Sequence, residues 1–145
     1  MNSALARLNR QSAPSRPVKS EHGLHTVINK DSNDFNLADI IAIHGLNGHY
    51  KNTWTVEGAD GVPINWLRDL LPKKLPNTRI LSFSYNSRVQ FSKSTSDILD
   101  FATQLLEQLL AVRRTQAEKA RPIVFVCHSL GGIVFKQVRF QQRLF

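Results

Sequence analysis

The sequence has one cysteine, Cys127, and one methionine. A lone thiol excludes a disulfide framework, and with five scattered histidines it cannot build a zinc finger. Cys127 sits in an apolar stretch, which fits a reducing compartment. No apolar run approaches the ~18 residues of a membrane span, so no transmembrane segment is expected. Acid is missing from both ends: residues 1–20 hold Arg7, Arg10, Arg16 and Lys19, residues 136–145 hold Lys136, Arg139 and Arg143, and neither stretch holds Asp or Glu. The net charge of +8 therefore comes almost wholly from the ends. Between them, twelve basic residues meet eleven acidic ones. A nucleic-acid binder needs its excess on one face, and no RNA-type aromatic motif is present, so nucleic acid is not an expected partner. No internal repeat is found.

What is present is a core. Hydrophobic residues make up 41% of 145 residues, enough for one domain. The most informative stretch is Ile123 to Val134 (IVFVCHSLGGIV). Five apolar residues, rich in β-branched and aromatic types, read as a fully buried strand. Pro122 precedes it, where a missing N–H costs a strand nothing. A serine, two glycines and a second apolar run follow. A strand that turns sharply through a serine into a helix is a nucleophile elbow. On this reading Ser129 is the catalytic nucleophile. A side chain at Gly131 would collide with the backbone around Ser129, and Gly132 lets the helix lie close to the strand. The Leu130 N–H, at a helix N-terminus, is an oxyanion donor. The pattern departs from Gly-x-Ser-x-Gly at its first position, which is Cys127. The competing reading of this stretch alone is a buried strand followed by a Ser-capped helix.

A second loop strengthens the first reading. The strand Ile40–Ile43 runs into His44-Gly45-Leu46-Asn47-Gly48-His49. Acyl transfer needs two oxyanion donors, and the second usually comes from a loop of this His-Gly type after an earlier strand. Leu46 N–H is the candidate, with Gly45 and Gly48 freeing the backbone. His44 is read as a loop anchor rather than the base. A Gly-rich strand–helix turn is common in α/β folds; paired with an elbow about 85 residues later it is more specific.

The rest of the chain supplies the frame. Residues 1–20 are either a disordered basic tail or a weak targeting segment, since mitochondrial transit peptides share the composition. Leu24–Asn29 reads as a strand, 30–36 as turn chemistry, and Ile64–Leu71 as a helix ended by Pro72. Arg79–Phe83 is a third strand, and 85–95 a polar loop. A long helix from Ser96 to Glu118 carries Ile98, Phe101, Ala102, Leu105, Leu109 and Val112 at the 3.6-residue period. Ser94 or Ser96 would cap it, Asp97 and Asp100 suit its first turn, and Arg113, Arg114 and Lys119 its last. Strands alternating with helices predict a three-layer α/β fold with a mostly parallel sheet.

The segments ADIIAIHGLNG (38–48), NWLRDLLPKKLPNTRILSFSYN (65–86) and RPIVFVCHSLGGIVFKQ (121–137) together resemble the serine esterase branch of the α/β-hydrolases. That branch includes serine-active-site-containing, lipase-like proteins of mitochondria and endoplasmic reticulum. It also includes hydrolase-like domains at the N-termini of fungal NACHT and ankyrin signalling proteins. The resemblance covers about residues 24–138. It implies an α/β-hydrolase-like fold, truncated after the elbow, over residues 21–145, acting on an acyl ester or lipid with no metal or cofactor. It assigns Ser129 as nucleophile, Leu46 and Leu130 as backbone donors, and Gly45, Gly131 and Gly132 as loop and elbow glycines. The family's acid and histidine lie on later strands, and no residue here matches them. His128 cannot serve its own neighbour's hydroxyl. A non-catalytic interaction or signalling module on the same fold is the alternative. Location at mitochondria or the endoplasmic reticulum membrane is expected from the tail and the resemblance together, with the cytoplasm as alternative. The apolar strand Ile123–Cys127 should end the sheet and invite pairing with another chain.

Overall fold

The computed structural model describes residues 21–29, 38–88 and 95–142. The basic tail at 1–20, the turn at 30–36, most of the loop before residue 95 and residues 143–145 lie outside the described residues. The elements in chain order are β1 (Gly23–Ile28), β2 (Ala38–Ile43), β3 (Thr55–Glu57), β4 (Pro63–Asn65), α1 (Trp66–Asp69), α2 (Leu71–Lys74), β5 (Thr78–Ser84), α3 (Thr95–Val112), α4 (Gln116–Ala120), β6 (Ile123–Cys127) and α5 (Leu130–Gln142).

Four strands form one sheet in the order β1-β5-β2-β6. β2 is parallel to both β5 and β6, with Ile41 opposite Leu81 on one side and Phe125 on the other, while β1 runs antiparallel along β5. The register sorts the strand residues by parity, because alternate side chains leave opposite faces. Ile41, Ile43, Leu81 and Phe83 meet Phe101, Ala102, Leu105 and Leu109 of α3 and Val134 and Val138 of α5. Ile40, Ala42 and Ile80 face the other way, onto Trp54 and Leu67, with Trp66 and Leu71 beside them. Helices thus cover both faces of a mostly parallel sheet, the three-layer α/β arrangement expected from the sequence. The apolar run of β2 and the whole of β5 are buried because both faces are covered.

Three expectations need correction. β6 is not fully buried: among the described residues it pairs with β2 alone, and Val124 is 50% exposed. Its inner face is covered, where Phe125 packs on Phe135 of α5 with ring centroids 4.5 Å apart. The helix expected over Ile64–Leu71 starts two residues later and is split: Ile64 and Asn65 belong to β4, which pairs with β3 in a short hairpin, and two single helical turns, Trp66–Asp69 and Leu71–Lys74, follow. Asn65 caps α1 by accepting the Arg68 N–H at 3.1 Å, and Pro72 opens α2 rather than ending a helix. The first turn tolerates proline because its N–H groups have no intrahelical partner. The long helix breaks at 113–115. Thr115 and Glu118 form a capping box that starts α4, the Thr115 hydroxyl accepting the Glu118 N–H and the Glu118 carboxylate accepting the Thr115 N–H. At the other end α3 begins at Thr95, so Ser96 lies inside it.

Arg113 explains the break. Its guanidinium turns inward to Asp39, with Nη1 2.5 Å from Oδ2. Asp39 is fully buried, and Arg79 also grips it in fork geometry, at 2.8 and 2.9 Å. Arg121 lies 3.7 Å away. Arg113 Nη2 donates to the Lys119 and Arg121 carbonyls, which ties the 113–121 segment to the start of β6. The Asp39 hydrogen bonds raise the Arg79 pKa above its ordinary value. This cluster lies at the N-terminal ends of β2 and β5, away from the elbow. It fixes where β6 enters the sheet and therefore where it delivers Ser129.

Candidate active site

The elbow is built as a strained turn. β6 ends at Cys127, α5 begins at Leu130, and Ser129 between them has φ 52°. A left-handed conformation costs an L-residue roughly 1–2 kcal/mol and persists only where the surroundings impose it. Two bonds close the turn: Gly131 N–H to the His128 carbonyl at 3.0 Å and Gly132 N–H to the Ser129 carbonyl at 2.9 Å. The Ser129 residue is left exposed at the C-terminal end of the strand.

The second loop lies directly against it. His128 N–H donates to the Ile43 carbonyl at 3.0 Å. A methyl group on Gly45 would come within 2.8 Å of both the His128 carbonyl oxygen and the Ser129 Cβ, so Gly45 is what lets the loop touch the elbow. Gly131 has a further task, since a methyl there would strike the Ile43 and His44 carbonyls. Gly132 is not required by packing, since an added methyl would only reach Cys127 Cβ at 4.0 Å. The two turns are closed through the N–H groups of Gly48, Gly131 and Gly132, and the Asn47 N–H goes to the Ser87 carbonyl, which leaves those of Leu46 and Leu130 out of these bonds. Asn47 supplies the loop's reversal, with φ 54°.

The arrangement of elbow and loop has relatives. Residues 37–139 match the family described as "Putative serine esterase (DUF676)". The chain belongs to this serine esterase family. Among curated proteins it is similar to Protein SERAC1 of Danio rerio, 27% identical over 150 residues, covering 93% of this chain and 22% of that protein. Protein SERAC1 of Homo sapiens is 27% identical over 118 residues, covering 70% of this chain and 17% of that one. The chain thus spans about a fifth of the length of the curated relatives it matches. No solved structure matches.

In this fold His44, His49 and His25 have partners away from Ser129. His44 is buried. Its Nε2 accepts the Tyr85 N–H at 3.5 Å, which leaves the proton on Nδ1, 3.0 Å from the Gly45 carbonyl oxygen. It anchors the loop and has no free nitrogen to act as base. His49 Nδ1 accepts the N–H groups of Lys51 and Asn52, at 3.2 and 3.3 Å. When neutral it therefore carries its proton on Nε2. His25 stacks on Tyr50 with centroids 3.8 Å apart. Neither His22 nor His128 hydrogen-bonds the Ser129 hydroxyl. Among the described residues no three His, Cys, Asp or Glu side chains gather as metal ligands, and no helix is long and apolar enough to cross a membrane.

A cavity of about 940 Å³ opens beside the second loop, lined among others by Asn47, His49, Asn52, Tyr85 and Arg88. Ser129, Leu46 and Leu130 do not line it, so it is not the acyl site. Sequence reasoning missed Tyr85 and Ser87, which lie in what read as a polar loop. The signal was an aromatic residue directly after the third strand, where a loop would leave it exposed; it is buried.

Proposed function

We propose that this domain carries the nucleophile and oxyanion site of a serine ester hydrolase. The Ser129 hydroxyl attacks the ester carbonyl as a general base takes its proton, and the Leu46 and Leu130 N–H groups hold the oxyanion. The alcohol leaves with the bonding electrons and that proton, and water then frees the acid from the acyl-serine. The observation that carries this reading is the left-handed Ser129 at the strand–helix junction, pressed against a loop whose Leu46 N–H is not used in closing the turn. Strain of this kind is kept only where something is gained from it. The substrate class is an acyl ester, including lipid esters. The general base and its acid partner come from outside the residues present here. Serine at its ordinary pKa is a poor nucleophile without them. The domain alone should keep no more than the roughly 10³–10⁴-fold over water seen in triad enzymes stripped of a member.

Supplying the base in solution tests this. In excess imidazole, p-nitrophenyl acetate should transfer one acetyl group to Ser129, located by peptide mass spectrometry and absent in Ser129→Ala. If Ser129 stays unmodified, the reading fails. A second reading, a non-catalytic module on the same fold, is favoured by the absence of any imidazole bonded to Ser129, and that outcome would support it.

We also propose a location at mitochondria or the endoplasmic reticulum membrane, with the cytoplasm as alternative; the acid-free basic stretch Arg7, Arg10, Arg16 and Lys19 supports it. A reporter fused to residues 1–20 that stays diffuse in the cytoplasm would remove this argument.

A further inference from the structure

We infer that Tyr85 and Ser87 are positioning residues for oxyanion binding: the segment after β5 sets the direction of the Leu46 N–H. This rests on the ester-hydrolase reading above and adds to it the part of the fold that shapes the site. Leu46 cannot hold itself, because its side chain is 50% exposed. Its neighbours on both sides are clamped instead. On the N-terminal side, Tyr85 makes three contacts with His44. Its hydroxyl donates to the His44 carbonyl at 2.7 Å, its N–H meets Nε2, and its ring stacks on the imidazole, centroids 4.5 Å apart and 6° from parallel. On the C-terminal side, the Asn47 N–H donates to the Ser87 carbonyl at 3.3 Å, and the Ser87 hydroxyl donates to the Gly48 carbonyl at 3.4 Å.

Both bracing side chains are buried, Tyr85 at 3% and Ser87 at 1% exposure. Burial pushes the Tyr85 phenol pKa up, with the nearby Cys127 adding to it, so its hydroxyl stays a donor across the physiological range. The braced carbonyl is also one of the two, with that of Ile43, that leave no room for a side chain at Gly131. One buried hydroxyl therefore sets both the height of the loop and the seat of α5, the two elements whose N–H groups would meet at the oxyanion.

The test is the rate of Ser129 acetylation by p-nitrophenyl acetate in excess imidazole, run beside the corresponding thionoester, whose sulfur fits an oxygen-sized hole poorly. Removing one oxyanion donor outright costs roughly 10²–10³-fold. Loosening one donor through Tyr85→Phe, which keeps the ring stack and the N–H, should cost about tenfold on the oxygen ester. It should cost much less on the thionoester, narrowing the preference between them. Ser87→Ala, which loses the long 3.4 Å bond to the Gly48 carbonyl, should move the ratio the same way by a smaller factor, and it carries the test if Tyr85→Phe does not fold. A folded variant with an unchanged rate overturns the inference. Equal slowing of both esters also overturns it, since that is what a merely structural residue would give. A wild-type chain never acetylated at Ser129 brings down the ester-hydrolase reading first, and this inference with it.

Discussion

Replacing Gly131 by alanine would put a methyl group 2.7 Å from the His44 carbonyl oxygen and 2.9 Å from the Ile43 carbonyl carbon, and closer still to the Ile43 oxygen. All three are backbone atoms at the end of β2, the strand that pairs on both sides. No side chain can swing aside, so α5 must lift off the sheet or β2 must bend. Overpacking of a tight core costs roughly 1–3 kcal/mol, and rigid neighbours place this case at the top of that range. Alanine returns about 0.5–1 kcal/mol as the better helix residue. The net loss is about 2 kcal/mol, a large part of the ~5–15 kcal/mol that holds a domain of this size together. Gly132 provides the internal control. A methyl there meets nothing nearer than 4.0 Å, so Gly132→Ala should keep the helical gain and stabilise the protein by up to about 1 kcal/mol. Urea unfolding followed by circular dichroism measures both. The midpoint should fall for Gly131→Ala and rise or hold for Gly132→Ala. Equal midpoints for the two variants would refute the claim that the elbow is seated against β2 through Gly131.

Asp39→Ala should destabilise by about 3–5 kcal/mol, because it leaves Arg79 and Arg113 buried without their shared carboxylate; a loss under 1 kcal/mol by urea midpoint would contradict the packing described. Ser129→Gly should be at least as stable as wild type, since relief of roughly 1–2 kcal/mol of left-handed strain offsets glycine's entropic cost of about 0.5–1 kcal/mol. A Ser129→Gly variant clearly less stable than wild type would show that the turn is unstrained. Hydrogen bonds from Thr115 hold the Glu118 carboxylate at a pKa of about 2, against 4.5 for the free group. A folded pKa below the unfolded one means stability that is complete above pH ~4.5 and is lost as pH falls toward 2. Glu118→Gln should lower stability at pH 7 and flatten this acid limb of the melting-temperature profile; an unchanged limb would show that the capping box does not form.

The parts of the fold readable from the sequence are those where one signal dominates. The run Ile40–Ile43 is apolar on both faces, and Ile80–Phe83 is apolar but for Ser82, so a central strand suits both. Phe101, Ala102, Leu105 and Leu109 follow one helical period and do face the sheet. The elbow was legible because a serine and two glycines between a strand and a helix leave few conformations open. The errors fall where a side chain acts at long range. Arg113 looked like a helix-terminal charge, and its partner, Asp39, is 74 residues away. Tyr85 looked like the start of a loop, and its partner, His44, is 41 residues away. Pro72 was read as a stop because its place in the first turn of α2 depends on the break at Leu70. The glycines could be picked out by type, but which neighbour each one admits is a property of the packed molecule. That is why the Ile43 and His44 carbonyls beside Gly131 were not foreseen, and why Gly132 was given a task its open surroundings do not require.

The account stands on Ser129 accepting an acyl or phosphonyl group when a base is supplied. The direct measurement is tandem mass spectrometry of the protein after exposure to an alkyl fluorophosphonate, with and without imidazole, in wild type and in Ser129→Ala. The account predicts little label without imidazole, a single label on Ser129 with it, and none on the variant. Brisk labelling without imidazole would reveal a base among the residues already present. A label that persists in Ser129→Ala would show that the nucleophile is another residue, and the site described here would be wrong.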